Sequence, residues 1–592
     1  MNTKKIAIAF IISLVLLFVS VASVKASAGN QADAPKIGLG TAILIGLMYY
    51  GSLSPWFANL GFTVFYRPLV AGALVGLVMG HPAEGVAIGA NINILYLGWI
   101  GAGGTLPSDP ALAGYLGTAL ALAGGLDVQS SLALAAPLGL LGSVTFSLRM
   151  SLSSIVPHWA DQYAEDGNIR MVALSNFIYT QPFLLLLYGL PVAVAAYLGA
   201  PVVSASLNWI SQNALWVMNG LYAASGMLAA LGIAMNLRYL FLPSVWPYYF
   251  LGFIITTLLG EQVNLLILAG IGAVLAFMHV RFTQSGETES IQITEAPDPP
   301  PGILTRKDVF GAWLRWLFFS HASWNWERLQ GLGFAHSMTP IIRKLYHTKD
   351  DISAALKRHL VFFNTQPDIG GIVHGIVISM EEERASGADI SDEAINGTKV
   401  GLMGPLSGIG DTIQQGIVIP IGLAIGMGVA TGGNISGVTE GNILGPIIYL
   451  IIVAAFVWGV GWLVWWQGYK QGRKLVLSVL SGGFMKNWIT RAQVLGNFIM
   501  GALTVSFVNL STPVAIRIGG TVIGIQNILD QIIPNLLPVL AVLLAWWLLS
   551  KKKVSPVMLL GAIIFTGILL SYPIWPGVDA VTNEVIRVGV FK

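Results

Sequence analysis

From Ile37 to Phe282, and again from Val400 to about Pro576, the chain runs through one apolar stretch after another, among them Leu69 to Ala90, Phe177 to Leu198, Leu240 to Leu259 and Ile443 to Trp466. Runs of this kind are stable in a bilayer, where about 20 residues of helix cross roughly 30 Å of hydrocarbon. Composition agrees: 55% of the 592 residues are apolar and 10% are charged, against about 25% charged in a soluble domain. An ordinary cytoplasmic enzyme is therefore excluded. The net charge is +3 without a basic stripe, which argues against a nucleic-acid partner. Cysteine is absent, so disulfides, thiolate metal sites and a Cys nucleophile are excluded. The 69 glycines suit closely packed transmembrane helices with breaks in them.

The first thirty residues read as a signal sequence: Lys4 and Lys5, an apolar stretch from Ile6 to Ala22, then small residues around Ala26 to Ala28. An uncleaved first span is the alternative. A polar insert from His158 to Arg170 separates two groups of spans and is expected in water or at an interface. Ser285 to Pro301 is rich in Glu, Thr and Pro and reads as a linker between two halves. Residues 303–400 then hold 22 charged side chains beside Trp313, Trp316, Phe318, Phe319, Trp324 and Trp326. That mixture is expected to lie along the membrane surface, with Trp324 and Trp326 as interfacial anchors. Lys551 to Lys553 close a later span on a loop that the positive-inside rule makes cytoplasmic.

Each half contains an interrupted hydrophobic hairpin. In the first, Gly72, Gly76 and Gly80 recur every four residues, so they share a helix face that another backbone can approach. His81-Pro82-Ala83-Glu84-Gly85 then breaks the helix, and the run that follows carries Asn91 and Asn93. In the second half, Gly401 to Gly416 includes Gly404, Gly408 and Gly410 and embeds Asp411, Gln414 and Gln415 between apolar flanks. Unpaired backbone in lipid costs several kcal/mol, so broken helices at membrane depth belong where they line a cavity. Two such segments in corresponding halves point to a transporter's binding site near the midplane. Asn91, Asn93, Gln414 and Gln415 offer neutral donors and acceptors, and Asp411 a strong acceptor, a set suited to a polyhydroxylated neutral solute. The alternative is that these amides only bond helix to helix.

The stretch from Arg315 to Gln414 resembles the IID component of the mannose/fructose/sorbose family of the sugar phosphotransferase system. The resemblance rests on Ala322-Ser323-Trp324-Asn325-Trp326-Glu327-Arg328, Arg358-His359-Leu360, Phe362-Phe363-Asn364-Thr365-Gln366-Pro367, Glu381-Glu382-Glu383-Arg384 and Met403-Gly404-Pro405-Leu406-Ser407-Gly408-Ile409-Gly410-Asp411. The first half is similar, more loosely, to the partner IIC component, through Tyr66-Arg67-Pro68-Leu69, the glycine hairpin, Leu97-Gly98-Trp99 and Leu106-Pro107-Ser108-Asp109. The resemblance implies an all-α, multi-pass protein of the bacterial plasma membrane. Its expected parts are a signal peptide at 1–28, a IIC-like domain at 35–284, a linker at 285–302 and a IID-like domain at 303–592, with a surface layer up to 400 and a membrane part beyond. It also implies a hexose that enters from outside and is phosphorylated by a phosphorylated IIB (or IIAB) protein. A homo-oligomer is expected, and no cofactor, metal or phosphoryl-carrying residue in this chain. Asn93 stands where the IIC family usually has a carboxylate, and His81 where it often has Asp, so the sugar can differ.

Asn364 and Thr365 lie in the family's Phe-Asn-Thr motif, just before Pro367 where the chain turns, and are expected to meet the sugar. Of Glu381, Glu382 and Glu383, which successive 100° steps keep off a common face, Glu382 is expected to point inward. His359 and His374 are read as structural, not as phosphoryl carriers. Competing functions are a membrane-embedded enzyme acting on a sugar or lipid, and a receptor that moves nothing.

Overall fold

The computed structural model describes residues 37–97, 108–199, 243–259, 265–283, 302–433 and 439–578 apart from a few positions within the last range, together with Trp99 and scattered residues between 216 and 238 and between 585 and 590. The expected signal sequence, nearly all of the linker and the glycines at 101, 103 and 104 lie outside the described residues.

The first half is helical: α1 (Leu39–Ser52), α2 (Pro68–Met79), α3 (Pro82–Ile94), α4 (Pro110–Gly124), α5 (Val128–Ser153), α6 (Val156–Glu165), α7 (Ile169–Phe177), α8 (Pro247–Leu259) and α9 (Leu265–Thr283). The hairpin of α2 and α3 is a glycine zipper. A Cβ on Gly72 would stand 2.5 Å from the Gly85 carbonyl oxygen, and one on Gly89 2.5 Å from that of Pro68. The two backbones are therefore in direct contact, which only hydrogen side chains allow. Gly80 departs from the expected common face: with φ +83 it ends α2, and the His81 amide turns back to the Gly76 carbonyl at 2.8 Å. This is a Schellman stop followed by Pro82 in the first helical position.

In the second half, four shorter helices precede the spans: α10 (Arg306–Phe319), α11 (Gly331–Leu345), α12 (Lys349–His359) and α13 (Gly371–Ala385). Thr305 and Asp308 form a reciprocal cap at the start of α10, and the Thr348 hydroxyl caps α12. The aromatic residues of this layer depart from expectation. Trp313, Trp316 and Trp324 are buried in the protein, and of the expected anchors only Trp326 is exposed. Trp313 packs on Trp462, Trp316 on Phe363 and His374, and Trp324 on Phe62, Phe146 and His321, and α13 lies along a later helix.

Apolar helices follow: α14 (Asp392–Ile413) continues through a wide turn at Gln414–Val418 into α15 (Ile419–Thr431), then come α16 (Leu444–Ala454), α17 (Gly461–Ser481) and α18 (Gly483–Phe507). The glycine break expected at 401–416 is absent. Gly404 and Gly408 have nothing within 4 Å of a built Cβ, and α14 runs through Pro405 unbroken. The irregularity sits instead at Gln414, where the helix widens to five-residue hydrogen bonding. Asp392–Thr431 covers 40 residues, about 60 Å of helix and twice a bilayer's depth, so its charged first turns stand clear of lipid. Ile169–Gly199 and Leu444–Gly472 are likewise long and apolar enough to cross. They expose Leu186, Leu190, Ile451 and Leu463 outward. The chain ends in α19 (Ile525–Ile532), α20 (Leu536–Ser550) and α21 (Pro556–Leu570), with two small antiparallel hairpins, Ala515–Ile518 with Thr521–Gly524 and Trp575–Val578 with Val585–Val588. The helical bend between α19 and α20 is 80°.

The polar insert forms α6 and meets the surface layer of the other half. Arg328 grips Asp161 with both terminal nitrogens, at 2.7 and 2.6 Å, and His158 lies 3.1 Å from Glu327. A forked pair of this kind fixes orientation as well as distance.

Candidate functional site

The turn after α1 and the loop before α13 meet across the two halves. Asn59, held at φ +64 where Asn is tolerated, donates from Nδ2 to Asp368 Oδ1 at 3.1 Å. The other Asp368 oxygen accepts from Gln366 Nε2 at 3.0 Å and from Gln414 Nε2. One buried carboxylate thus ties the first half, the loop and the wide turn together. Burial raises its pKa to about 7 against the lowering from Gln366 and Asn59. Gln366 Oε1 in turn accepts from the Asp368 and Ile369 amides at 3.0 and 2.7 Å. Gly410 is needed here, since a Cβ would stand 2.5 Å from the Gln366 side chain.

In front of this latch is a cavity of about 560 Å³, open solvent included. Asn59, Phe62, Thr63, Arg67 and Trp99 line it from the first half. His321, Trp324, Gln330, Asn364, Thr365 and Pro367 contribute from the surface layer, and Ser407, Asp411, Gln414, Gln415 and Ile419 from α14 to α15. Its aromatic wall is shared: Phe62 stacks on Tyr66 and on the His321 ring and meets Trp324 edge-on. Gln330 holds the Thr365 backbone with both ends of its amide, each at 2.9 Å. The Thr365 hydroxyl and the Trp324 indole N–H are buried without a hydrogen-bond partner. Asp411 Oδ1 accepts from Gln415 Nε2 at 2.7 Å, one turn along. The wall therefore offers rigid aromatic faces and unspent polar atoms of both senses.

Five of the residues singled out in the sequence converge here: Asn364, Thr365, Asp411, Gln414 and Gln415. Three do not. Asn91 donates to the Val128 carbonyl, and Asn93 lies between the Leu69 amide and the Met427 sulfur. Both amides bond helix to helix, and the end of the hairpin that meets the cavity is its base at Arg67 and Trp99, not its tip. Glu382 corrects a third expectation: its Oε1 accepts from the Leu304 amide at 2.6 Å and its Oε2 from the Tyr469 hydroxyl at 2.7 Å, which pins the start of the second half to α17. The inward glutamate is Glu381, fully buried between Arg358 Nε at 2.8 Å, His359 Nε2 at 2.9 Å and Tyr346 Oη at 2.5 Å. Burial would raise its pKa, but His359 and Arg358 hold it below the ordinary carboxylate range. Its phase was legible, since His374, Val377 and Ile378 precede it by seven, four and three residues on one buried stripe.

Sequence reasoning missed Asp368, Gln330, Phe62 and Arg67. Asp368 and Gln330 sit in loops without periodicity. Arg67 stood within a motif but carried no signal of burial.

Residues 303–574 match the family described as PTS system mannose/fructose/sorbose family IID component, and residues 39–278 match PTS system sorbose-specific IIC component. The mannose-specific EIID component of Escherichia coli (strain K12) is 40% identical over 45% of this chain and 92% of its own length. The mannose-specific EIIC component of the same strain is 32% identical over 37% of this chain and 80% of its own. A chain of the solved complex of the mannose transporter ManYZ with microcin E492 (MceA) is 39% identical over 45% of this chain and 96% of its own, with a TM-score of 0.27.

Proposed function

The chain belongs to the mannose/fructose/sorbose family of the sugar phosphotransferase system, with membrane permease components IIC and IID joined in one polypeptide, and from that premise we propose that it binds a hexose in the cavity between its two halves and passes it on for phosphorylation by a IIB partner. The observation that carries this reading is the wall itself. Phe62, Trp99 and Trp324 supply flat apolar faces, which suit the C–H face of a sugar ring. Asp411, Gln415, Asn364, Thr365 and Ser407 supply separated donors and acceptors around them, the arrangement a hydroxyl-rich solute needs to leave water. Both halves contribute to one wall, so the proposed site needs the two components together.

Sealed vesicles test the reading. Sugar phosphate should accumulate inside only when the phosphorylated partner is supplied, and the isolated chain should convert nothing in detergent. Turnover in detergent without the partner would favour the membrane-embedded enzyme, and no accumulation with it the receptor. Copies of this chain assembling through lipid-facing helices are part of the same proposal, and cross-linking in native membranes tests it.

A further inference from the structure

Arg67 is the residue of the cavity wall that a neutral solute leaves unexplained. It sits in the turn that opens α2, fully buried, with its guanidinium 5.0 Å from the centre of the Trp99 ring. Nη1 reaches the Tyr96 carbonyl at a long 3.4 Å, the Tyr449 hydroxyl lies beside the guanidinium while it donates to the Thr63 carbonyl at 2.6 Å, and Nε and Nη2 make no well-formed hydrogen bond among the described residues. Neither nearby carboxylate is paired with it: Asp368, in the latch behind the cavity, takes three amides, and Asp411, in the wall, takes Gln415. A buried charge without a counter-charge costs several kcal/mol, and a sugar hydroxyl repays little of that. The cation calls for an anion.

Nε and Nη2 form one edge of the guanidinium, the fork that meets two oxygens of a phosphate side-on. We propose that Arg67 is an anion site within this cavity and binds the phosphate monoester of the solute once it has been phosphorylated. The inference rests on the sugar reading given above and adds a residue to it. One wall then serves both forms of the solute: hydroxyl partners from the second half hold the ring, and the unpaired fork from the first half receives the charge that arrives with phosphorylation. Trp99 keeps the fork in place, since its indole N–H is fixed on the Ser108 carbonyl at 2.8 Å.

The test uses the full chain in nanodiscs and titrates mannose, mannose 6-phosphate and inorganic phosphate at constant ionic strength set with chloride, read by tryptophan fluorescence and calorimetry. Wild type should bind inorganic phosphate and mannose 6-phosphate saturably. Arg67→Gln should weaken both by at least about tenfold, as expected for losing a charge-assisted bond, and mannose by less than about threefold. Arg67→Lys keeps the charge without the fork and should fall in between, which preserves the test should Arg67→Gln not fold. Unchanged phosphate affinity in either variant, or equal losses for mannose and its phosphate, would overturn the anion site. Arg67-dependent phosphate binding in a wild type that ignores mannose would uphold the anion site and sink the sugar reading, while mannose binding with phosphate binding indifferent to Arg67 would do the reverse.

Discussion

The α2–α3 hairpin and the stretch from α14 to α15 hold similar residues, glycines and amides among apolar side chains, yet they use them in opposite ways. In the hairpin the glycines are pressed against backbone, and Asn91 and Asn93 spend their amides on the Val128 carbonyl and the Leu69 amide. Along α14, Gly404 and Gly408 face open space where a Cβ would stand, while Asp411, Gln414 and Gln415 reach the cavity wall. An amide is available to a ligand only where the nearby backbone is already satisfied. The hairpin is closed on itself, whereas the wide turn at Gln414 is propped from behind by Asp368 and Gln366, which leaves Asp411 facing the opening.

The sharpest way to break this contrast is at the glycines. Gly72→Ala places a methyl 2.5 Å from the Gly85 carbonyl and should cost about 3 kcal/mol or more, seen as loss of folded protein in detergent. Gly408→Ala should stay within about 0.5 kcal/mol of wild type. Equal thermal stability of the two variants would contradict the zipper.

Next in size is the cavity itself. Asp411→Asn and Thr365→Val should each cut vesicle uptake by about tenfold or more, the scale of a hydrogen bond to a charged or desolvated partner, with normal amounts of protein in the membrane. Wild-type uptake from both would remove them from the site.

Acid should act on the surface layer of the second half. Burial lowers the imidazole of His336 to about 3 and that of His359 to about 4, and together with Lys399 it holds His374 well below its ordinary value. The unfolded chain protonates each near pH 6.5. Between roughly pH 6.5 and 4 the unfolded state therefore binds more protons, and stability falls as the solution is acidified. Glu381, whose folded pKa is depressed, contributes stability above about pH 4.3 that is lost below it. Unfolding temperatures measured from pH 7.5 to 5 should drop, because each histidine removes up to about 1.4 kcal/mol of stability per pH unit, which outweighs the opposite contribution of Asp368, whose raised pKa lets the folded state take up its proton first. A flat profile would mean these rings are wet.

The smallest effect belongs to the hairpin amide. Asn93→Ala removes long contacts to Leu69 and Met427 and should cost about 1 kcal/mol of stability while leaving uptake within about twofold. A loss of transport matching that of Asp411→Asn would restore Asn93 to the solute's path.

Much of the molecule was legible before any coordinates. Hydrophobic runs placed the chain in lipid, because burying apolar surface is additive along a segment and needs no knowledge of neighbours. The spacing of Gly72 and Gly76 announced a close helix contact, the motif around Asn364 and Asp411 marked one side of the cavity, and the family was evident from the same residues. What periodicity could not decide was which side chain each polar group would meet. Asn91 and Glu382 were assigned to a solute and found the Val128 carbonyl, the Leu304 amide and the Tyr469 hydroxyl; Trp324 was assigned to the interface and found the cavity; Asp368 was not singled out at all, and Arg67 only as part of a motif. Those outcomes depend on contacts between residues such as Asn59 and Asp368, 309 positions apart. Only packing the two halves together settles which buried polar atoms are satisfied by protein and which, like Nε and Nη2 of Arg67, are left without a well-formed hydrogen bond.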